Sequence, residues 1–155
     1  MTGKIDAHLI SLGLALPAAP APVANYVPYV QTGNLVFVSG QIPLENGAIK
    51  YAGRVGSDVT PDNAYAAAKL CALNLIAQVK AACGGDLDRV TRVVKLTGFV
   101  AAGPEFTDHP KVVNGASDLM VQVFGEAGRH CRAAVGASSL PRGAAVEVEA
   151  VFEVA

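Results

Sequence analysis

Arg132 is the residue of this chain whose setting points most directly to chemistry. It lies in the run HCRAAVGASSLP, where most of its neighbours are small or apolar. A guanidinium group in such a setting needs an anionic partner, and its planar fork can bind a carboxylate through two hydrogen bonds. The partner could be Glu147 or Glu149 in an internal salt bridge, or a small carboxylate ligand. The residues alone leave both possibilities open.

A small set of other polar residues also stands within apolar runs. These candidates are Tyr29, Ser39, Gly40, Gln41, Asn114 and Glu147. Glu147 could act as a general acid or base if its environment raises its pKa, or it could be a solvated glutamate on the outer side of a strand. Tyr29 could donate a hydrogen bond to a ligand or form a cross-strand aromatic pair. Gly40 would let the backbone approach a ligand closely.

The familiar catalytic motifs are absent from the sequence. It contains no GxGxxG, no Walker loop, no HExxH and no GxSxG. His8, His109 and His130 do not have the spacing of metal ligands. Cys131 follows His130 directly, and neighbours in a strand point to opposite faces, so the two side chains should not form a catalytic pair. We therefore expect neither a metal nor a cysteine nucleophile.

Composition limits the possible partners. The chain has 155 residues, of which 52% are apolar and 16% charged, with a formal net charge of −1. This length suits one domain, and the apolar excess favours a homo-oligomer that covers part of the surface. Lysine and arginine are not clustered, so nucleic acid is not an expected partner.

Cysteine use and the N-terminal segment bear on location. Cys71, Cys83 and Cys131 are odd in number and lack CxxC spacing, which favours reduced thiols in the cytoplasm. The apolar stretch at residues 9–16 is too short to cross a bilayer and does not make a clean signal peptide. Ile5, Leu9, Leu12 and Leu16 instead have the spacing of an amphipathic helix, and no membrane contact is expected.

The pattern of elements predicts an α+β domain. A Pro/Ala spacer ends near residue 26, so the prediction divides the chain into an N-terminal helix with spacer, 1–26, and a main domain, 27–155. Strands are predicted at 27–32, 35–39, 90–100, 131–135 and 146–154, and helices at 63–83 and 110–124. Thr60 should cap the first of these helices. Two helices on one face of a mixed sheet follow from this order, with the acidic side of the last strand on the other face.

Four stretches together resemble the RidA family, also called YjgF-type or "endoribonuclease L-PSP" proteins. They are PYVQTGNLVFVSGQIP at 28–43, LDRVTRVVKLTGFV at 87–100, CRAAVG at 131–136 and LPRGAAVEVEAVFEV at 140–154. The resemblance implies a chorismate-mutase-like fold, in which two helices back a mixed sheet. It also implies a homotrimer with clefts between neighbouring subunits, and it sets residues 1–26 apart as an N-terminal extension typical of a divergent subgroup.

The resemblance also implies an activity, the hydrolysis of 2-enamino and 2-imino acids to 2-keto acids and ammonia. Arg132 would bind the substrate carboxylate, and Glu147 would orient the attacking water. The remaining substrate-binding positions would be Tyr29, Ser39, Gly40, Gln41 and Asn114. No cofactor and no metal are implied. The alternatives are a trimeric protein that binds a small carboxylate without turnover and an endoribonuclease or translation inhibitor, which the balanced charge disfavours.

Overall fold

The last strand of the chain, in which apolar and acidic residues alternate, is the central strand of the main sheet. The computed structural model describes residues 2–155. Its strands are β1 (Tyr29–Thr32), β2 (Leu35–Gln41), β3 (Leu44–Glu45), β4 (Ala48–Ile49), β5 (Val90–Ala101), β6 (Cys131–Ala137) and β7 (Val146–Val154). Its α-helices are α1 (Lys4–Ser11), α2 (Pro61–Ala82) and α3 (His109–Phe124).

The main sheet is mixed, as the sequence predicts. It has five strands in the order β1-β2-β7-β5-β6, and β3 and β4 form a separate two-stranded ribbon. β5 and β6 are parallel, and the other neighbours in the main sheet are antiparallel. The parallel pair requires a crossover, which α3 supplies. β6 and β1 are therefore the two edge strands.

One face of the sheet, the helix face, packs against α2 and α3. Val146, Val148 and Phe152 of β7 are fully buried on this side, which confirms the predicted inward direction of these residues. α2 begins as predicted, because the Thr60 hydroxyl accepts a hydrogen bond from the Asn63 amide at 3.1 Å. An apolar core thus holds α2 and α3 against the sheet.

The opposite face of the sheet, the open face, is not covered by either helix. Phe37 and Val135 on this face remain 45% and 44% exposed. Their register partners are Val151 for Phe37 and Phe99 for Val135. The apolar excess seen in the composition therefore lies partly on this open face.

The N-terminal helix is shorter than its apolar spacing predicts. α1 ends at Ser11, and the chain turns at Gly13, whose φ is +71°. Leu12 and Leu16 consequently lie outside the helix, whereas Leu9 belongs to the core. The Asp88 carboxylate accepts the amides of Lys4 and Ile5, each at 2.9 Å, and these bonds lower the pKa of Asp88. The side chain of Asp88, just before β5, thus anchors the start of α1.

Within residues 2–155, no helix combines the length and the apolar character needed to cross a membrane.

Candidate functional site

Arg132 and Glu147 lie on opposite faces of the sheet. In the register of β5, Leu96 pairs with Arg132, whereas Phe99 pairs with Glu147. Residues paired across strands share a face, and positions three apart on one strand point to opposite faces. Arg132 therefore belongs to the helix face and Glu147 to the open face. The sequence left open an internal salt bridge between Arg132 and Glu147. The structure excludes it, because β5 lies between their two strands and the side chains point to opposite faces.

The first half of the candidate site, the arginine half, lies where β6 meets α3. Arg132 Nη1 donates to the hydroxyl of Ser117 at 3.0 Å, and its Nη2 donates to the carbonyl oxygen of Pro110 at 3.2 Å. Asn114 lines the same cavity of about 280 Å³. Among the ion pairs of residues 2–155, none involves Arg132. The guanidinium group is thus positioned by neutral oxygens, and its charge is available to an anion.

A hydrogen-bonded chain behind Arg132 was not predicted from the sequence. His130 Nδ1 lies 2.7 Å from the carbonyl oxygen of Gly128, which can only accept, so Nδ1 carries the proton. Nε2 of the neutral ring then accepts from the Ser117 hydroxyl at 2.8 Å. Burial lowers the pKa of His130, with a smaller contribution from Arg132, and this favours the neutral ring. Ser117 and His130 therefore hold the guanidinium group in place.

The second half of the site, the glutamate half, lies at a bulge between β2 and β7. Val38 pairs with Ala150 and Gln41 pairs with Val148, so two residues of β2 oppose one residue of β7. Those two residues are Ser39 and Gly40. Such bulges redirect side chains and are frequent beside active sites. Here the bulge brings the backbone of β2 against the Glu147 side chain.

Gly40 lets the Glu147 carboxyl group lie directly against the backbone of β2. A Cβ atom at this position would lie 2.7 Å from Oε1 of Glu147 and 3.0 Å from its carboxyl carbon. The carboxyl group is half-buried, and burial raises its pKa, with a further contribution from the charge of Glu149. A carboxyl group with a raised pKa can exchange protons nearer to neutral pH, as a general acid or base must. The role of general acid or base is therefore chemically open to Glu147, and its part in catalysis stays a prediction.

The remaining predicted residues divide between these surroundings. Ser39 and Gln41 line the same cavity as Glu147, and the Gln41 amide donates to the carbonyl oxygen of Ser39 at 2.9 Å. Tyr29 pairs with Val38 and packs half-buried against the core on the helix face, away from that cavity. Tyr26, three residues earlier, lines the cavity instead. Among residues 2–155, no three His, Cys, Asp or Glu side chains converge as metal ligands would.

Replacement of Glu147 by glutamine should stabilise the fold at neutral pH. The raised pKa means that the folded state holds this proton more tightly than the unfolded state. The free energy of unfolding of the wild type therefore falls as pH rises from the ordinary glutamate range through the raised pKa. Glutamine removes that cost, by at most about 1 kcal/mol because partial exposure screens the charge. Urea unfolding at several pH values measures the difference.

The matched control is Glu105→Gln, at an exposed glutamate distant from the bulge. The advantage of Glu147→Gln should disappear at pH values below the ordinary glutamate pKa, where the wild-type carboxyl is protonated in both states. An equal free energy of unfolding for wild type and Glu147→Gln at neutral pH would contradict the inferred burial cost.

The comparisons with known proteins assign this fold to a family. A family model described as "YjgF/chorismate mutase-like, putative endoribonuclease" matches residues 6–153. The chain belongs to the YjgF/RidA family. Its mixed sheet, backed by helices, is the chorismate-mutase-like fold of that family, and the resemblance drawn from the sequence is confirmed.

Three relatives illustrate the range of this YjgF/RidA family. Protein TCP17 of Trypanosoma cruzi is 51% identical over 153 residues, which cover 98% of this chain and 95% of TCP17. The crystal structure of Atu1372 from Agrobacterium tumefaciens, a protein of unknown function, is 53% identical with a TM-score of 0.91 and covers 97% of this chain and 92% of that one. The 2-iminobutanoate/2-iminopropanoate deaminase of Dermatophagoides farinae is 28% identical over 138 residues, 89% of this chain and 92% of the deaminase.

Proposed function

We propose that this YjgF/RidA protein is a homotrimeric hydrolase that deaminates 2-enamino and 2-imino acids to 2-keto acids and ammonia. The observation that carries the proposal is the separation of two complementary half-sites. The arginine half offers a guanidinium group that has no ionic partner among the residues that the structure describes, and the glutamate half offers a carboxyl group of raised pKa. Each half lacks what the other provides. The relative from Dermatophagoides farinae carries the name of this activity.

The two halves would meet between subunits. Within one chain they lie on opposite faces of the sheet, so a single subunit cannot bring both to one small substrate. The open face with exposed Phe37 and Val135 is the surface expected to be covered in an oligomer. Closed rotational symmetry with three subunits would place the arginine half of each subunit against the glutamate half of the next.

The residues supply a complete hydrolytic step without a cofactor. Arg132 binds the substrate carboxylate, and the Glu147 carboxylate accepts a proton as water adds its oxygen to the imine carbon. Glu147 returns this proton to the nitrogen, which gives a carbinolamine. The Glu147 carboxylate then takes the proton of the hydroxyl group and passes it to the nitrogen as the carbon–nitrogen bond breaks, so a keto group forms and ammonia leaves. Orientation and general acid–base catalysis each contribute roughly 10²–10⁴-fold to such a reaction.

A cytoplasmic location belongs to the same proposal. Enamino and imino acids arise on pyridoxal-phosphate enzymes and hydrolyse in water, so a deaminase must work where they form. The three cysteines are free thiols in the structure, two of them buried. Free thiols persist in a reducing compartment.

The proposal is tested by ammonia release from 2-iminopropanoate, generated in place by an amino-acid oxidase. We expect the wild type to accelerate hydrolysis over the spontaneous rate and Arg132→Ala to lose at least about 10²-fold in kcat/KM, because a charge-assisted contact to the carboxylate is removed. Arg129→Ala is the matched control, since Arg129 lines the same cavity but is paired with Glu126 at 3.1 Å.

One outcome would contradict the deaminase, and another would contradict the role of Arg132. If the wild type does not accelerate hydrolysis but Arg132 is still needed for binding pyruvate, the protein is a carboxylate-binding protein without turnover. If Arg132→Ala and Arg129→Ala have equal effects, the placement of the carboxylate on Arg132 is wrong.

A further inference from the structure

The segment at residues 20–27, here called the strap, crosses the mouth of the glutamate half. It is fixed at both ends. The amide of Gln78, which is 1% exposed, donates to the carbonyl oxygen of Pro20 at 2.6 Å. The hydroxyl of Ser39 donates to the carbonyl oxygen of Val27 at 2.8 Å. The strap is thus attached to α2 at one end and to the β2 bulge at the other.

A cavity of about 540 Å³ lies between the strap and the sheet. Its apolar lining comes from the strap, from the chain after β2 and from the turn before β7. These residues are Pro22, Val23, Tyr26, Ile42, Leu44 and Pro141. Its polar side chains are those of Ser39, Gln41 and Glu147 on the sheet side and Tyr26 on the strap. The cavity therefore extends from the candidate catalytic carboxyl group into an apolar compartment.

The compartment is too large for the smallest imino acids. Pockets that enclose drug-sized ligands measure roughly 300–1,000 Å³, and this cavity falls within that range. The side chain of 2-iminopropanoate is a single methyl group, which would leave most of the apolar lining uncovered. A side chain of leucine size or larger would instead remove that lining from water, at about 25 cal/mol per Å² of apolar surface.

We infer that the strap cavity is a side-chain subsite for neutral 2-imino acids with large apolar side chains, such as those derived from leucine or phenylalanine. The inference rests on the proposed function, because it takes Glu147 as the group beside the imine carbon. Of the strap residues that line the cavity, only Tyr26 carries a side-chain hydrogen-bonding group, so a polar substituent away from its hydroxyl would lose its hydration. The Glu147 and Glu149 carboxylates would repel an acidic side chain.

The experiment compares the binding of two stable keto acids, pyruvate and 4-methyl-2-oxopentanoate, by calorimetry. We expect the wild type to bind the larger keto acid about 10²-fold more tightly, in line with the selectivity of apolar pockets. The double variant Val23→Ser/Tyr26→Ser should reduce this preference about tenfold, through weaker binding of the larger keto acid. Val23→Trp, which fills the compartment, should exclude the larger keto acid alone.

Ile10→Ser is the matched control, because Ile10 is also an exposed apolar residue but lies on α1 away from the cavity. Equal affinity for the two keto acids, binding of neither, or a preference that the strap variants do not change would overturn the subsite. A strap-dependent preference in a protein that releases no ammonia from any imino acid would retain the subsite and refute the deaminase. The binding measurement therefore tests the subsite, and the turnover measurement tests the deaminase activity independently.

Discussion

Mixed assemblies of two inactive variants should recover activity. Arg132→Ala removes the arginine half and Glu147→Gln removes the glutamate half, and each variant alone should lose roughly 10²–10⁴-fold in kcat/KM. When subunits of both kinds share a closed ring of three, one of the three interfaces joins an intact arginine half to an intact glutamate half. Doubly tagged mixed trimers should therefore show about one third of wild-type activity per trimer. Co-expression with two affinity tags and tandem purification provides these assemblies.

The recovered fraction also reports the number of subunits. About one half would indicate a dimer with two shared sites, which would contradict the trimer. No recovery would show that both groups of each site come from the same subunit. Arg132→Ala mixed with Asn114→Ala is the control, because both substitutions fall in the arginine half and no interface of that mixture is fully intact.

Gly115→Ala should destabilise the protein although alanine is the better helix former. Helix propensity alone predicts a gain of up to about 1 kcal/mol for this change within α3. In the structure, a Cβ atom at this position falls on the carbonyl oxygen of Tyr65 in α2 and lies 2.9 Å from the carbonyl carbon. Backbone atoms of a packed helix cannot move aside, so we expect a net loss of about 2–3 kcal/mol in the free energy of unfolding.

Urea unfolding at one fixed protein concentration measures this loss, since the stability of the proposed trimer would depend on concentration. Gln122→Ala is the control, because Gln122 lies exposed on α3. Gly115→Ala with stability equal to or above that of the wild type would mean that α2 and α3 do not approach as closely as described.

The secondary structure could be predicted well because its signals are local. The alternation of apolar and acidic residues predicted the last strand at 146–154, and β7 has these bounds. The hydroxyl of Thr60 caps α2 as its position before Pro61 indicates. The prediction of α1 was less accurate, because the spacing of leucines continues past Ser11 while Gly13 turns the chain. The turn at Gly13 therefore decided where α1 ends, although the apolar spacing continues beyond it.

The site residues are a different matter. Several candidates were identified by type, since a charged or polar side chain in an apolar run needs a partner. Ser117 and His130 were not, because neither stands out in its own stretch and their contact joins a helix to the approach of a strand. Tyr29 was placed in the site by resemblance, whereas the structure brings Tyr26 to the cavity. The role of Tyr29 in substrate binding stays a prediction.

What the sequence by itself determined is the set of elements, the family and the chemical types available to the site. Only the tertiary structure decided which of those groups can meet. Arg132 and Glu147 looked like natural partners, and the register of both strands against β5 places them on opposite faces. The physical reason is that the period of a strand depends on neighbouring residues, whereas the pairing of distant strands depends on the packing of the whole sheet.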